Sequence, residues 1–251
     1  MPATSPIEAS LVEVFSSIQG EGVLIGCRQV FLRFAGCNLS CAYCDTPFHG
    51  GAVYCLETAP GSGESLQFKN PADLLALGEA LEQWRQSHPG LHHSLCLTGG
   101  EPLLHAEALQ RWLPVISQTW PVYLETNGTL PVELGRVLRW LTWISMDIKT
   151  EETTGQATRW EAHAQFMEAA GNRLCQVKLV VGAKTGLETV RRAAGLVKRH
   201  APGTPLILQP CMDQGALTVA GPVLLQLQEE AAGLHSDTRL IPQVHPFLGI
   251  A

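Results

Sequence analysis

Ser94–Gly128 reads SLCLTGGEPLLHAEALQRWLPVISQTWPVYLETNG, and this stretch decides the fold. SLCLTG is a short apolar run of strand character. His105 to Gln118 carries its apolar residues at helical spacing, and PVYLETNG is a second strand running into a turn. Strand, helix and strand in this order make one βαβ unit, whose two strands lie parallel. The pattern extends in both directions. Upstream, PADLLALGEALEQWRQ reads as an amphipathic helix with Pro71 at its first turn. Downstream, Val132–Trp140 reads as a short helix, WISMDIKT as a strand and Arg159–Ala170 as a helix. CQVKLVVG, Leu187–His200, PLILQP, Pro222–Leu234 and TRLIPQV continue the alternation to a last strand. Right-handed crossovers curl such strands the same way, towards a barrel, open or closed.

The first 70 residues differ. LVEVFSSI and QVFLRFAG are strand-like, and Gly50, Gly51, Gly61 and Gly63 mark a long loop ending near Leu66. No linker separates domains, so residues 1–251 read as a single domain with an N-terminal strand and loop segment over about 1–70. Seventeen Lys and Arg against 23 Asp and Glu give a net charge of −6. With no basic cluster, that balance excludes a nonspecific nucleic-acid binder. No basic and apolar leader opens the chain, and no apolar run approaches the roughly 20 residues of a spanning helix. The expectation is a cytoplasmic protein that engages neither membrane nor nucleic acid.

In parallel α/β folds chemistry collects at the carboxyl ends of the strands. The unusual residues fall there: GCNLSCAYCDT after FLRFA, GGEP after SLCLT, ETNG after PVYL, Asp147 and Lys149 after WISM, Gln209 after PLIL, His245 after TRLIPQV. Cys37-Asn-Leu-Ser-Cys41-Ala-Tyr-Cys44 is the strongest signal among them. Three thiolates in eight residues can hold three irons of a cubane cluster, leaving the fourth iron open to a ligand. A zinc site completed by a distant Cys or by His49 is the other reading of the same spacing. Of the remaining cysteines, Cys96 and Cys175 lie in apolar runs and read as core.

CxxxCxxC resembles the signature of the radical S-adenosylmethionine (SAM) superfamily, and Gly99-Gly100-Glu101-Pro102 its second mark. EVFSSIQGEG, FLRFAGCNLSCAYCDT, LTGGEP, ETNGT, DIKT, LQP and the terminal QVHPFLGI together resemble, in order, the 7-carboxy-7-deazaguanine synthase family. The nearest alternative, a glycyl-radical-enzyme activase, should lack SIQGEG and the terminal histidine motif. The resemblance implies an incomplete, contracted (β/α) barrel of mostly parallel strands that dimerises. It also implies conversion of 6-carboxy-5,6,7,8-tetrahydropterin to 7-carboxy-7-deazaguanine, with a [4Fe–4S] cluster, SAM and Mg²⁺ as cofactors and flavodoxin or ferredoxin as electron donor.

By that resemblance Cys37, Cys41 and Cys44 hold the cluster and Thr46 binds Mg²⁺. Gln19, Glu21 and Gly22 contact the pterin with His245 and the terminal Ala251, and Arg33 pairs with its carboxylate, as a guanidinium does well. SAM falls to Asp45, Thr98, Gly99, Gly100, Glu101, Thr126, Asn127, Ser145, Asp147, Lys149 and Gln209. Unmotivated, Arg33 would read as a surface or structural ion pair and His245 as a structural histidine. The sequence departs from the family at Pro246, often Lys, in the longer Gly50–Leu66 loop, and at SMDIKT, which replaces a common Ser-Pro-Lys.

Overall fold

The computed structural model describes residues 7–42, 44, 49–213 and 216–250; Tyr43, Asp45, Thr46 and Ala251 lie outside them. In chain order the strands are β1 (Glu8–Ala9), β2 (Leu11–Ile18), β3 (Arg28–Phe34), β4 (Val53–Glu57), β5 (Ser65–Lys69), β6 (Ala72–Asp73) and β7 (Ser94–Gly99). There follow β8 (Val122–Thr126), β9 (Trp143–Ile148), β10 (Leu174–Val181), β11 (Leu206–Pro210), β12 (Met212–Asp213), β13 (Ala216–Leu217) and β14 (Thr238–Leu240). The helices are α1 (Leu74–Ser87), α2 (Ala106–Ile116), α3 (Pro131–Val137), α4 (Glu151–Thr154), α5 (Trp160–Ala170), α6 (Leu187–His200), α7 (Gly221–Ala232) and α8 (His245–Leu248).

One sheet runs in the order β14-β11-β10-β9-β8-β7-β3-β2-β4-β5. From β14 to β3 every neighbouring pair is parallel. Helices cross between consecutive strands, which is what βαβ alternation requires. The edges are β14 and β5, so the result is an incomplete (β/α) barrel.

Each strand serves two environments because successive side chains point to opposite faces. Val30, Leu32, Phe34, Leu95, Leu97, Ile144, Met146, Val177 and Leu179 face the helices and join the main core. The alternate positions face the concave side. There Phe31, Cys96 and Tyr123 form a small apolar floor, with Phe15, Leu24, Trp143 and Cys175 packed on it. Register places Phe31 beside Cys96, Cys96 beside Tyr123 and Tyr123 beside Trp143. Further along each strand the concave face turns polar, at Arg33, Thr98, Glu125, Asp147 and Lys178. Cys96 is thus core, as expected, and Cys175 packs at its margin.

Three expectations need correction. Pro71 is not in the first turn of α1. Ala72 and Asp73 pair with β1, and the Asp73 side chain caps the helix by accepting from Leu75 and Ala76 N–H. The Gly50–Leu66 stretch is not one loop: β4 and β5 form an antiparallel hairpin that extends the sheet from β2. Its turn is closed by the buried Glu57 carboxylate, which accepts from Ser16, Gly61 and Gly63 N–H at 2.9, 3.0 and 2.9 Å. TRLIPQV is a strand only to Leu240, since Pro242 has no N–H for a ladder.

Candidate active site

A cavity of about 400 Å³ opens on the concave side at the carboxyl ends of the parallel strands. It is lined by Cys37, Cys41 and Cys44 together with Gln19, Glu21, Arg33 and His245. Of the other expected residues, Thr98, Gly99, Gly100, Thr126, Asn127, Asp147, Lys149 and Gln209 also line it. Distant parts of the sequence therefore meet where the βα loops converge.

The cysteine loop is held by the turns after β7 and β8. Asn127 Nδ2 donates to Asn38 Oδ1 at 2.8 Å and lies 3.9 Å from Cys37 Sγ. Asn38 Nδ2 donates to Thr129 Oγ1, and Glu101 N–H to the Gly36 carbonyl. Burial pushes the Cys37 and Cys41 thiols up, whereas Cys44 is exposed. Among the described residues, no three His, Cys, Asp or Glu converge as they would around a single ion. An iron–sulfur cluster takes one thiolate per iron and needs no such convergence. Three thiols lining one cavity fit that group.

Three expected residues lie behind the cavity wall. Glu101 is fully buried and accepts from Leu103 N–H, Asn127 N–H and the Thr126 hydroxyl at 3.0, 2.8 and 2.9 Å. It shapes the site by fixing the turn that carries Thr126 and Asn127. Ser145 is buried, its hydroxyl accepting from Gln176 Nε2 at 2.7 Å. Gly22, at φ +64°, has Gln176 where a Cβ would stand, so it packs the QGEG turn against β10. Asp45, Thr46 and Ala251 fall outside the described residues.

Burial raises Glu101 to about 7 despite its hydrogen bonds. A carboxyl raised in the fold loses stability as pH climbs from its unfolded value, near 4.3, to that level, and is level beyond. Relative to Glu101→Gln, wild-type stability should therefore fall by up to about 3 kcal/mol between pH 4.5 and 7. Urea unfolding across that range measures it; parallel curves for the two proteins would reject the shift.

The sequence reading missed Glu125, Lys178 and Gln243, all of which line the cavity. Glu125 accepts from Gln19 Nε2 at 2.8 Å and Thr98 Oγ1 at 2.7 Å, and burial pushes its carboxyl up. Lys178 binds Glu21 and lies 3.2 Å from Asp147, which also holds Lys149 at 2.8 Å. Gln243 donates to Glu21 Oε1 at 2.6 Å. A signal was present: a charge at an inner position of an otherwise apolar strand, as in LCQVKLVV, points into a cavity. Arg33, expected to await a carboxylate, meets Glu13 at 2.7 Å through Nε and lies over the Phe15 ring at 5.4 Å.

A parallel incomplete barrel with a CxxxCxxC loop at its mouth defines a class, and the comparisons agree. The model of the Radical SAM superfamily matches residues 32–172, more than half of the chain. The chain belongs to the radical SAM superfamily. The 7-carboxy-7-deazaguanine synthase of Geobacter sulfurreducens is 45% identical over 243 residues, covering 96% of this chain and 97% of that protein. That of Archaeoglobus fulgidus is 34% identical and covers 97% of this chain and 100% of its own. Within the superfamily, the chain is a member of the 7-carboxy-7-deazaguanine synthase family, which decides against the activase alternative. The crystal structure of QueE from Escherichia coli shares the fold, with a TM-score of 0.58 at 20% identity over 94% of each chain. No helix among the described residues is long and apolar enough to cross a membrane.

Proposed function

We propose that this chain converts 6-carboxy-5,6,7,8-tetrahydropterin to 7-carboxy-7-deazaguanine by radical ring contraction with loss of ammonia, on the route to queuosine and related 7-deazapurines. The observation that carries the reading is a single cavity lined by the three thiols and by Gln19, Glu21 and Arg33. When bound, a [4Fe–4S] cluster on Cys37, Cys41 and Cys44 with SAM would supply a hydrogen-abstracting radical.

The chain's own residues bind, orient and exclude water. Thr126, Asn127 and Lys149, which line the cavity with Gly99 and Gly100, would hold SAM, with Asp147 setting the Lys149 ammonium. Glu21 offers the pterin a carboxylate, the pterin's N–H donors taking the place of Gln209 and Gln243 on Oε1, and Gln19 is fixed in orientation by donating to Gln29 Oε1 and Glu125. Arg33 gives Glu13 one N–H of its fork, and its other donors suit the substrate carboxylate. Apolar Phe15 and Phe31 line the floor and keep it dry around a reactive species. Thr46 would hold Mg²⁺, with substrate and water supplying the remaining ligands. The chain acts as a single domain, as a cytoplasmic homodimer, and takes electrons from a flavodoxin or ferredoxin.

The test is anaerobic reconstitution and reduction, followed by addition of SAM, Mg²⁺ and the tetrahydropterin, with mass spectrometry of the products. The expected product is 7-carboxy-7-deazaguanine. Accumulation of 5′-deoxyadenosine alone would leave the superfamily chemistry standing and reject the substrate.

A further inference from the structure

Lys178 is a charged residue in the middle of an apolar strand, and its side chain is only 6% exposed. A lysine so placed is costly unless its ammonium is paired. Here it has two carboxylates: Glu21, reached from the QGEG turn, and Asp147, its cross-strand neighbour on β9. Glu21 is completed by amides, its Oε1 accepting from Gln209 at 3.1 Å and Gln243 at 2.6 Å. The turn itself is pinned by Gln176, which accepts from Val23 N–H at 2.6 Å, and by Val244 N–H on the Gly20 carbonyl.

We propose that Lys178 is the positioning residue of this active site: its ammonium holds and aims the Glu21 carboxylate, and ties the QGEG turn to the Asp147–Lys149 pair. The assignment rests on the reading of Glu21 as a contact of the pterin. A protonated carboxyl donates from one oxygen, whereas a pterin's amino-pyrimidinone edge presents adjacent N–H donors that need a carboxylate. Burial alone would raise Glu21 towards the protonated form; Lys178 reverses this and holds it below the usual carboxylate range. Burial likewise opposes the charge on Lys178, and Asp147, Glu21 and Glu125 together override it. Of the groups around Glu21, Asp147 and Glu125 are acidic, Lys149 is engaged by Asp147, and His245 lies beside Gly20. Lys178 is the cation in contact with Glu21.

The test uses reconstituted holoenzyme and measures binding of the tetrahydropterin and of SAM separately, from pH 5.5 to 8.5. In Lys178→Met, pterin binding should weaken about tenfold or more at pH 7 and weaken further, up to about tenfold per unit, as pH falls through the raised Glu21 value. SAM binding should move less than about threefold, and Lys178→Arg should restore much of the pterin affinity, since Arg keeps the charge. Should Lys178→Met fold poorly, Lys178→Met with Glu21→Gln removes both charges. It should bind pterin no worse than Glu21→Gln alone, because the lysine acts through that carboxylate. Equal loss of both ligands, or a Lys178→Met profile matching wild type, overturns the assignment while leaving the substrate reading intact. A wild-type protein that does not bind the pterin would fell the substrate reading, and this assignment with it.

Discussion

Replacing Cys41 with Ala should abolish formation of 7-carboxy-7-deazaguanine, lowering it by about 10³-fold or more, because two thiolates cannot hold three irons of a cubane and the cofactor performs the hard step. Cleavage of SAM should disappear along with product, and iron and sulfide content after reconstitution should fall sharply. The fold should tolerate the change. Cys41 is only half-buried in a loop at the cavity mouth, so its truncation should cost within about 1 kcal/mol. The three readouts together separate cluster loss from unfolding. A Cys41→Ala protein that turned over at a rate near wild type would remove the cluster from the mechanism.

Gly99→Ala should be the most damaging single methyl in the described chain, and its effect is on folding before it is on chemistry. Gly99 ends β7 at φ +126°, and a Cβ there would stand 2.3 Å from the Phe34 carbonyl oxygen and 2.5 Å from the Phe34 nitrogen. Both are backbone atoms of the neighbouring strand, so nothing flexible can move aside. Backbone strain and overpacking add, to about 4 kcal/mol of destabilisation. In a chain of this size that lowers the melting midpoint by about 10 °C. Gly135→Ala is the internal control. It sits in helical α3 with nothing within 4 Å of a Cβ, and should gain about 0.5–1 kcal/mol. A Gly99→Ala midpoint indistinguishable from wild type would refute the packing account. The glycine is thus required by the approach of two strands, not only by the approach of a ligand as the GGEP motif suggests from sequence.

The parallel framework was legible because each strand of the main sheet from β7 onward alternates with a helix of recognisable apolar spacing. In the N-terminal third β2 and β3 were legible as strands, and the β4–β5 hairpin was not. The β4–β5 hairpin is closed by Glu57, which accepts a backbone N–H from β2 as well as two from its own turn, and such nonlocal turn chemistry leaves no local mark. Its glycines at 61 and 63, with φ of +78° and +71°, look like any flexible loop when read alone. The last turn of helix, α8, is four residues long and carries too little periodicity to announce itself. At the site, the motif residues were visible since cysteine spacing and GGEP are locally distinctive. Lys178 was hidden because it sits as a single charge in an apolar strand; Glu125 was in view within ETNG, but nothing local shows that it meets Gln19. Ser145 was placed in the site by analogy, yet Gln176 satisfies it below the cavity.

The two faces of each strand in the barrel answer to different demands, and they are interleaved at single-residue resolution. Val177 and Leu179 hold helices; Lys178, between them, lines the cavity. Inheritance of stability and inheritance of selectivity are thereby carried by disjoint, alternating letters of the same short words. A lineage can rewrite the inward letters to suit a new guest while the outward letters go on spelling the same scaffold. Divergence in what such barrels transform therefore need not be accompanied by divergence in how they fold.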